Sequence, residues 1–310
     1  MSTQFLSRGC PACGASSKLA RKDVASEPTA ETTDYAELIP AWNGFFKEKV
    51  FFSYDRCSNC GLLYAPTFFT PAQLEELYAQ MPPNMDVVPM EALRKTQRGY
   101  YEALKSMSPP AGDYIEIGPD IGLFTENCVR DGKFGKYWLF EPNRDVESAL
   151  SATMQGRPHA VIHDMFGFSQ VPDRTAGAAV MVHVLDHLLD PVATLRELRE
   201  KLTQGARLAI VTHDESSLLR RIFGKRWPAF CLQHPEIYNP KSMRKLLDTA
   251  GYDVVELKKT VNYFPVQFLL RHLLWAVGLK VKTVPSFGGI TIGLKLGNMI
   301  TIATPKAVQP

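Results

Sequence analysis

The chain has 310 residues, 45% of them hydrophobic, and a formal net charge of +3. That length can bury a full core in one large or two modest domains, and the weak charge gives no strong nucleic-acid signal. No apolar run reaches the ~18 residues of a membrane span, and Met1–Gly9 lacks the apolar centre of a secretory leader, so a cytoplasmic protein is expected.

Four of the six cysteines fall in two knuckles, Cys10-Pro11-Ala12-Cys13-Gly14 and Cys57-Ser58-Asn59-Cys60-Gly61. Each turn lets two thiolates face one metal, and two such turns complete a tetrahedral sulfur site that suits zinc. Two disulfides are the alternative, less suited to a chain without a secretory leader. With all four positions filled by sulfur, the zinc is structural. Cys128 and Cys231 read as isolated thiols. The spacer between the knuckles is long and includes a loop-like stretch over Ser26–Asp34. Residues 1–70 are therefore expected to form a small zinc-binding module.

Gly61–Pro66 reads as a short strand stopped by proline. Thr70 caps a helix opening with Pro71 and broken at Met81-Pro82-Pro83-Asn84, and a second helix is expected over Met90–Met107. Residues 71–110 thus make a helical linker. From Gly112 strand and helix alternate. Strands are expected at Tyr114–Ile117, Tyr137–Phe140, Ala160–Ile162, Ala178–Val182 and Arg207–Val211. Helices are expected at Gly122–Arg130, Arg144–Met154, Pro191–Leu202 and Pro240–Ala250. This alternation implies an α/β, Rossmann-like, doubly wound and mostly parallel sheet. Tyr252–Val261, Thr291–Leu296 and Met299–Ala303 read as strands with an antiparallel finish, and Val266–Leu279 as a helix.

The chemistry gathers at strand ends. The first strand runs into Glu116-Ile117-Gly118-Pro119-Asp120-Ile121-Gly122, where glycines allow close backbone approach and a new helix offers free N–H groups. Glu141 ends the second strand and Asp164 follows the third. In a doubly wound sheet these acids share one edge, and an acid after the second strand is placed to accept from ribose hydroxyls. A dinucleotide-binding dehydrogenase would want G-x-G-x-x-G, which is absent.

These segments resemble a class I S-adenosylmethionine-dependent methyltransferase. Glu116–Gly122 resembles the first motif, E/D-x-G-x-G-x-G, with Asp120 at the usual middle glycine. Leu139-Phe140-Glu141-Pro142 resembles the second, whose acid holds the ribose, and Asp164 matches the acid near the adenine amino group. Val182–Pro191 resembles the segment after the fourth strand, with Asp186 for the usual Glu, and Leu202–Leu208 the "LkpGG-l" segment. The resemblance implies a seven-stranded sheet with an antiparallel last strand over residues 111–310. It implies S-adenosyl-L-methionine as cofactor, held by Glu116, Gly118, Asp120, Gly122, Glu141, Asp164 and His183. The knuckles ahead of such a domain look like bacterial small-molecule methyltransferases, many acting on sugars. A sugar or nucleotide-sugar acceptor is thus implied, without the extra C-terminal domain of full-length sugar C-methyltransferases.

Trp227–Pro240 resembles the family's "eH-x-yFs" segment, whose histidine sits over the transferred methyl. His234 is the candidate general base, with His187 and His183 as competitors. His183 and His187, four apart, would share a face of a helical turn and with Asp186 hold a divalent metal, as a similar E-x-x-E-H pattern in ubiquinone-type O-methyltransferases implies. His213 also falls near this edge. Insertions around 216–240 and 264–288 are expected to cap the acceptor. The first carries the basic residues Arg220, Arg221, Lys225 and Arg226. The apolar second would cover the pocket, meet a second subunit or touch a membrane surface. The alternatives are an RNA methyltransferase whose zinc module grips nucleic acid, and a non-catalytic assembly protein with a degenerate pocket at Asp120.

Overall fold

A computed structural model describes residues 5–42, 50–79, 88–164, 167–276, 279, 281, 284, 285 and 289–307. The expected break at Met81-Pro82-Pro83-Asn84, residues 277 and 278 of the helix expected to end at Leu279 and other parts of the 264–288 insertion lie outside the described residues.

The N-terminal part opens with β1 (Leu6–Ser7), β2 (Ala20–Val24), α1 (Tyr35–Trp42), β3 (Tyr54–Cys57), β4 (Leu63–Tyr64) and β5 (Thr67–Phe68). β1 pairs with β5, and β2, β3 and β4 form an antiparallel ladder. Beneath them Phe5, Trp42, Phe52, Phe68 and Phe69 pack as a buried aromatic cluster. Then follows α2 (Pro71–Ala79), opened by a reciprocal cap. The Thr70 hydroxyl accepts from the Gln73 N–H at 3.3 Å, and the Gln73 Oε1 accepts from the Thr70 N–H at 2.8 Å. α3 (Met90–Ser106) leads to the sheet.

The α/β part runs β6 (Asp113–Ile117), α4 (Thr125–Asp131), β7 (Tyr137–Phe140), α5 (Glu147–Thr153), β8 (His159–Ile162), β9 (Ala176–Val182), α6 (Pro191–Lys201) and β10 (Leu202–His213). It continues with α7 (Leu218–Phe223), β11 (Glu236–Ile237), α8 (Pro240–Ala250), β12 (Tyr252–Lys259), β13 (Asn262–Pro265), α9 (Val266–Ala276), β14 (Thr291–Leu294) and β15 (Asn298–Pro305). The main sheet has seven strands in the order β12-β15-β10-β9-β6-β7-β8. β8, β7, β6, β9 and β10 are parallel, and β15 runs antiparallel between β10 and β12. One face buries Ile115, Met181, Ile210 and Leu246, the other Tyr114, Leu139, Val180 and Ala209. Apolar strands covered on both faces are what a parallel sheet requires.

Several expected boundaries move for local reasons. The helix expected from Gly122 starts at Thr125, because the chain is still turning at Gly122 (φ +79°). β10 is longer than its apolar run because β15 carries the pairing out to His213 opposite Asn298. The finish is antiparallel, but β14 and β15 are not a hairpin. β14 pairs with β13 in a separate ribbon, while β15 enters the main sheet. Gly297, at φ +112° against Ser217 and Trp227, turns the chain between them. No helix among the described residues is long and apolar enough to cross a membrane. Leu273, Ile290 and Ile292 are exposed around the β13–β14 ribbon.

The two parts share a sheet. β11, from the loop after β10, pairs with β4 and becomes the fourth strand of the N-terminal ladder, order β11-β4-β3-β2.

Candidate active site

The strand order reverses between β6 and β9, and in open α/β sheets ligands bind outside the carboxyl ends of the strands at such a point. On one side lies the glycine turn. Gly118 (φ +66°), Asp120 (φ +52°) and Gly122 (φ +79°) all adopt the left-handed conformation. Aspartate is among the few side chains that enter this region at small cost, so Asp120 keeps the backbone course of the glycine it replaces. Gly118 is needed for space as well, since a Cβ there would come within 2.5 Å of Val184 Cγ2. The absent side chain lets the loop after β9 lie on the turn.

Glu141, at the end of β7, fastens this turn. Its Oε2 accepts from the Asp120 N–H at 2.8 Å and its Oε1 from the Asn143 N–H at 2.9 Å. A carboxylate has about four acceptor positions, so each oxygen keeps one for an outside donor. Burial raises the Glu141 pKa, and the two backbone donors oppose the rise. Burial likewise raises that of Asp120. Glu116 faces the other way: its Oε2 accepts from the Tyr114 hydroxyl at 2.5 Å and from the Thr125 hydroxyl, tying β6 to α4. Asp164 is exposed after β8, with a 3.4 Å contact from the Gln170 amide.

On the other side four histidines surround Asp186. His213 ends β10, and its Nδ1 lies 2.7 Å from Asp186 Oδ2. Asp186 is fully buried, yet the His213 contact holds its pKa well below the usual range against the burial. Burial outweighs Asp186 in lowering the His213 pKa, so a neutral imidazole donates Nδ1–H to a carboxylate. The His234 ring lies 4.7 Å from both the His187 and the His213 rings, centre to centre. Its Nδ1–H donates to the Ala229 carbonyl at 2.7 Å, so in the neutral ring Nε2 is the acceptor. Cys231 Sγ stands 3.3 Å from the same Nδ1. Burial disfavours the His234 imidazolium, but the Cys231 sulfur and Asp186 raise its pKa to about 10. Reciprocally, the Cys231 pKa is lowered by His234 in spite of burial.

His183 and His187 do not share a helical face. The 3-10 turn begins only at Leu185, and His183 precedes it at φ +55°. His183 Nε2 lies 3.3 Å from the Asn298 amide, while His187 Nδ1 meets the Tyr78 hydroxyl at 2.9 Å. Burial lowers the pKa of each to about 3. The group whose ligand atoms come within 4.8 Å of one another is His183, Asp186 and His213, with His213 in place of His187.

The cysteine expectations divide. Cys10, Cys13, Cys57 and Cys60 converge, with sulfur atoms within 4.8 Å of one another. The Cys10–Cys60 and Cys13–Cys57 separations are 3.5 and 3.7 Å, far beyond a disulfide bond at ~2.05 Å and close to the ~3.8 Å edge of a tetrahedron with ~2.3 Å zinc–sulfur bonds. Cys128 is a buried thiol as expected, but Cys231 is not isolated, because the loop 229–234 folds it onto His234. Tyr78 and Asn298 were not among the sequence candidates. They come from an N-terminal helix and the last strand, and no spacing in the chain announces them.

A sheet of this order with a glycine turn after its first parallel strand and an acid after the second is the architecture of class I methyltransferases. The family described as "Methyltransferase domain" matches residues 91–257, just over half of the chain, and the chain belongs to it as an S-adenosylmethionine-dependent methyltransferase. None of the curated proteins matches. Among solved structures, a methyltransferase of Thermotoga maritima is 17% identical with a TM-score of 0.46, covering 69% of this chain and 91% of its own. One from Leishmania major is 12% identical at 0.47, covering 87% and 82%. One from Aquifex aeolicus is 13% identical at 0.46, covering 76% and 99%.

Proposed function

We propose that the chain methylates a hydroxyl of a small polar acceptor, a sugar or nucleotide sugar, with His234 as general base. The observation that carries this is the imidazole cluster on the carboxyl edge of β9 and β10, directly beside the glycine turn. S-adenosylmethionine suits the turn: Glu141 keeps one free acceptor position on each oxygen for ribose hydroxyls, Gly118, Asp120 and Gly122 bring backbone close, and Asp164, exposed after β8, would accept from the adenine amino group. Bound there, the cofactor supplies an electrophilic methyl on a sulfonium.

The chain's own residues supply orientation and proton removal. His234 presents Nε2 to the acceptor hydroxyl because Nδ1 is committed to Ala229. His187 is steered by Tyr78, His213 by Asp186, and His183 lies beside Asn298. Zinc on the four cysteines braces the N-terminal ladder. The small-molecule reading is favoured over RNA because arginines on and beside the N-terminal ladder face acids: Arg56 meets Asp23 and Glu215 at 2.8 and 2.7 Å, and Arg220 of α7 meets Asp23 at 3.6 Å. The sugar class itself rests on the resemblance of the paired knuckles.

Calorimetric titration with S-adenosylhomocysteine tests the cofactor side. Micromolar binding is expected, weakened at least tenfold in Glu141→Ala. Absence of binding to the wild-type chain would instead favour a non-catalytic assembly role. An acceptor screen starting from nucleotide sugars then tests the rest, with turnover lost and cofactor binding retained in His234→Ala.

A further inference from the structure

Two loops carry the acceptor-side histidines: the one after β9, with His187, and the one before β11, with His234. Neither is long enough to fix the position of the other, yet their rings stand 4.7 Å apart, nearly perpendicular at 87°. One side chain from the N-terminal part bonds to both loops. Arg8 Nη1 donates to the Leu189 carbonyl at 3.2 Å, two residues beyond His187. Its Nη2 donates to the Pro235 carbonyl at 2.6 Å and to Glu236 Oε2 at 2.7 Å, one and two residues beyond His234. Its Nε donates to the Ala65 carbonyl at 3.0 Å, which anchors the guanidinium to the N-terminal ladder. The Arg8 side chain is only 9% exposed and that of Glu236 fully buried.

We propose that Arg8 is a positioning residue that sets the separation of His187 and His234, and so couples the four-cysteine module to the acceptor side of the site. This rests on the reading of those histidines as the acceptor side. The guanidinium is planar and rigid, with donors fixed on opposite edges, so it acts as a spacer between two backbones. Lysine keeps the charge but offers a single ammonium that cannot span both loops. Neighbouring contacts hold the rest of the second loop. The Tyr54 hydroxyl donates to the His234 carbonyl at 2.5 Å, and the Ala65 N–H to the Pro235 carbonyl at 2.8 Å. Arg8 touches neither the glycine turn nor Glu141, so cofactor binding is independent of it.

The test uses the full chain with labelled histidine, bound to S-adenosylhomocysteine, and reads the nuclear Overhauser effect between the His187 and His234 ring protons. It is expected to be strong in the wild type and several-fold weaker in Arg8→Lys and Arg8→Met, with S-adenosylhomocysteine affinity within about twofold of wild type. An unchanged effect in either folded variant overturns the proposal. If Arg8→Met does not fold, Arg8→Lys decides. Loss of ligand affinity in parallel with the Overhauser effect in Arg8→Lys also overturns it, since the residue would then support the whole site. A wild-type chain that binds no S-adenosylhomocysteine removes the methyltransferase reading, while the ring separation can still be read in the free chain.

Discussion

At the scale of single residues, Glu116 shows how burial sets the charge of a carboxyl group. The carboxylate that opens the glycine motif is buried against Tyr114 and Thr125, and burial raises its pKa from 4.5 to about 7. The folded state therefore holds a proton that the unfolded chain releases. This contribution is complete below pH 4.5 and is lost as the pH rises through about 7. By linkage it amounts to at most ~3 kcal/mol. Glu116→Gln keeps an oxygen to accept both hydroxyls and cannot ionise. Its urea midpoint should decline less steeply than that of the wild type between about pH 5 and about pH 8, the remaining fall belonging to Glu236, whose buried carboxyl is also raised to about 7. Equal slopes for the two proteins would mean that Glu116 is not the group responsible.

The same scale governs the proposed base. His234 draws its raised pKa from Cys231, whose sulfur lies 3.3 Å from Nδ1. Free base is then scarce at neutral pH, and the rate should climb toward pH 10. Cys231→Ser removes the polarizable sulfur and leaves a neutral hydroxyl. The rising limb of kcat/KM should move to lower pH by about one unit or more. A limb that stays in place would take the proton transfer away from His234.

Among the elements, the N-terminal ladder is the informative one. Cys57 ends β3, Cys60 stands three residues before β4, and β4 pairs with β11 immediately after His234. Short strands of two residues cannot hold themselves, so zinc on the knuckles, as proposed above, would act as the staple that a small core lacks. Metal analysis of the purified chain should give one zinc. Cys57→Ser should lose it, lower the melting temperature by roughly 5 °C or more, and increase hydrogen exchange over residues 236–237 while that of β6 and β7 is unchanged. A metal-free wild-type chain with the same melting temperature would contradict the staple.

For the molecule as a whole, the two halves of the site come from different logics. The proposed cofactor side is local: turn, helix start and Glu141 follow one another along the chain, and the strand–helix alternation places them on one edge. The histidine cluster proposed as the acceptor side is assembled from distant segments. Tyr78 reaches His187 across 109 residues of sequence, Asn298 reaches His183 across 115, and Arg8 reaches Glu236 across 228. Such contacts have no period and no spacing to read.

The sequence by itself determined the alternation, the parallel sheet, the glycine turn, the acids at strand ends and the pairing of the cysteine knuckles, because each is written in residues close in the chain or in a repeated pattern. The tertiary structure alone decided that Glu116 turns inward, that Asp120 keeps a glycine's backbone, that Cys231 meets His234, and that Asp186 joins His213. It decided as well that β15 passes β14 by and enters the main sheet. These depend on which side chains burial brings face to face, and burial is settled by the packing of the whole chain rather than by any stretch of it.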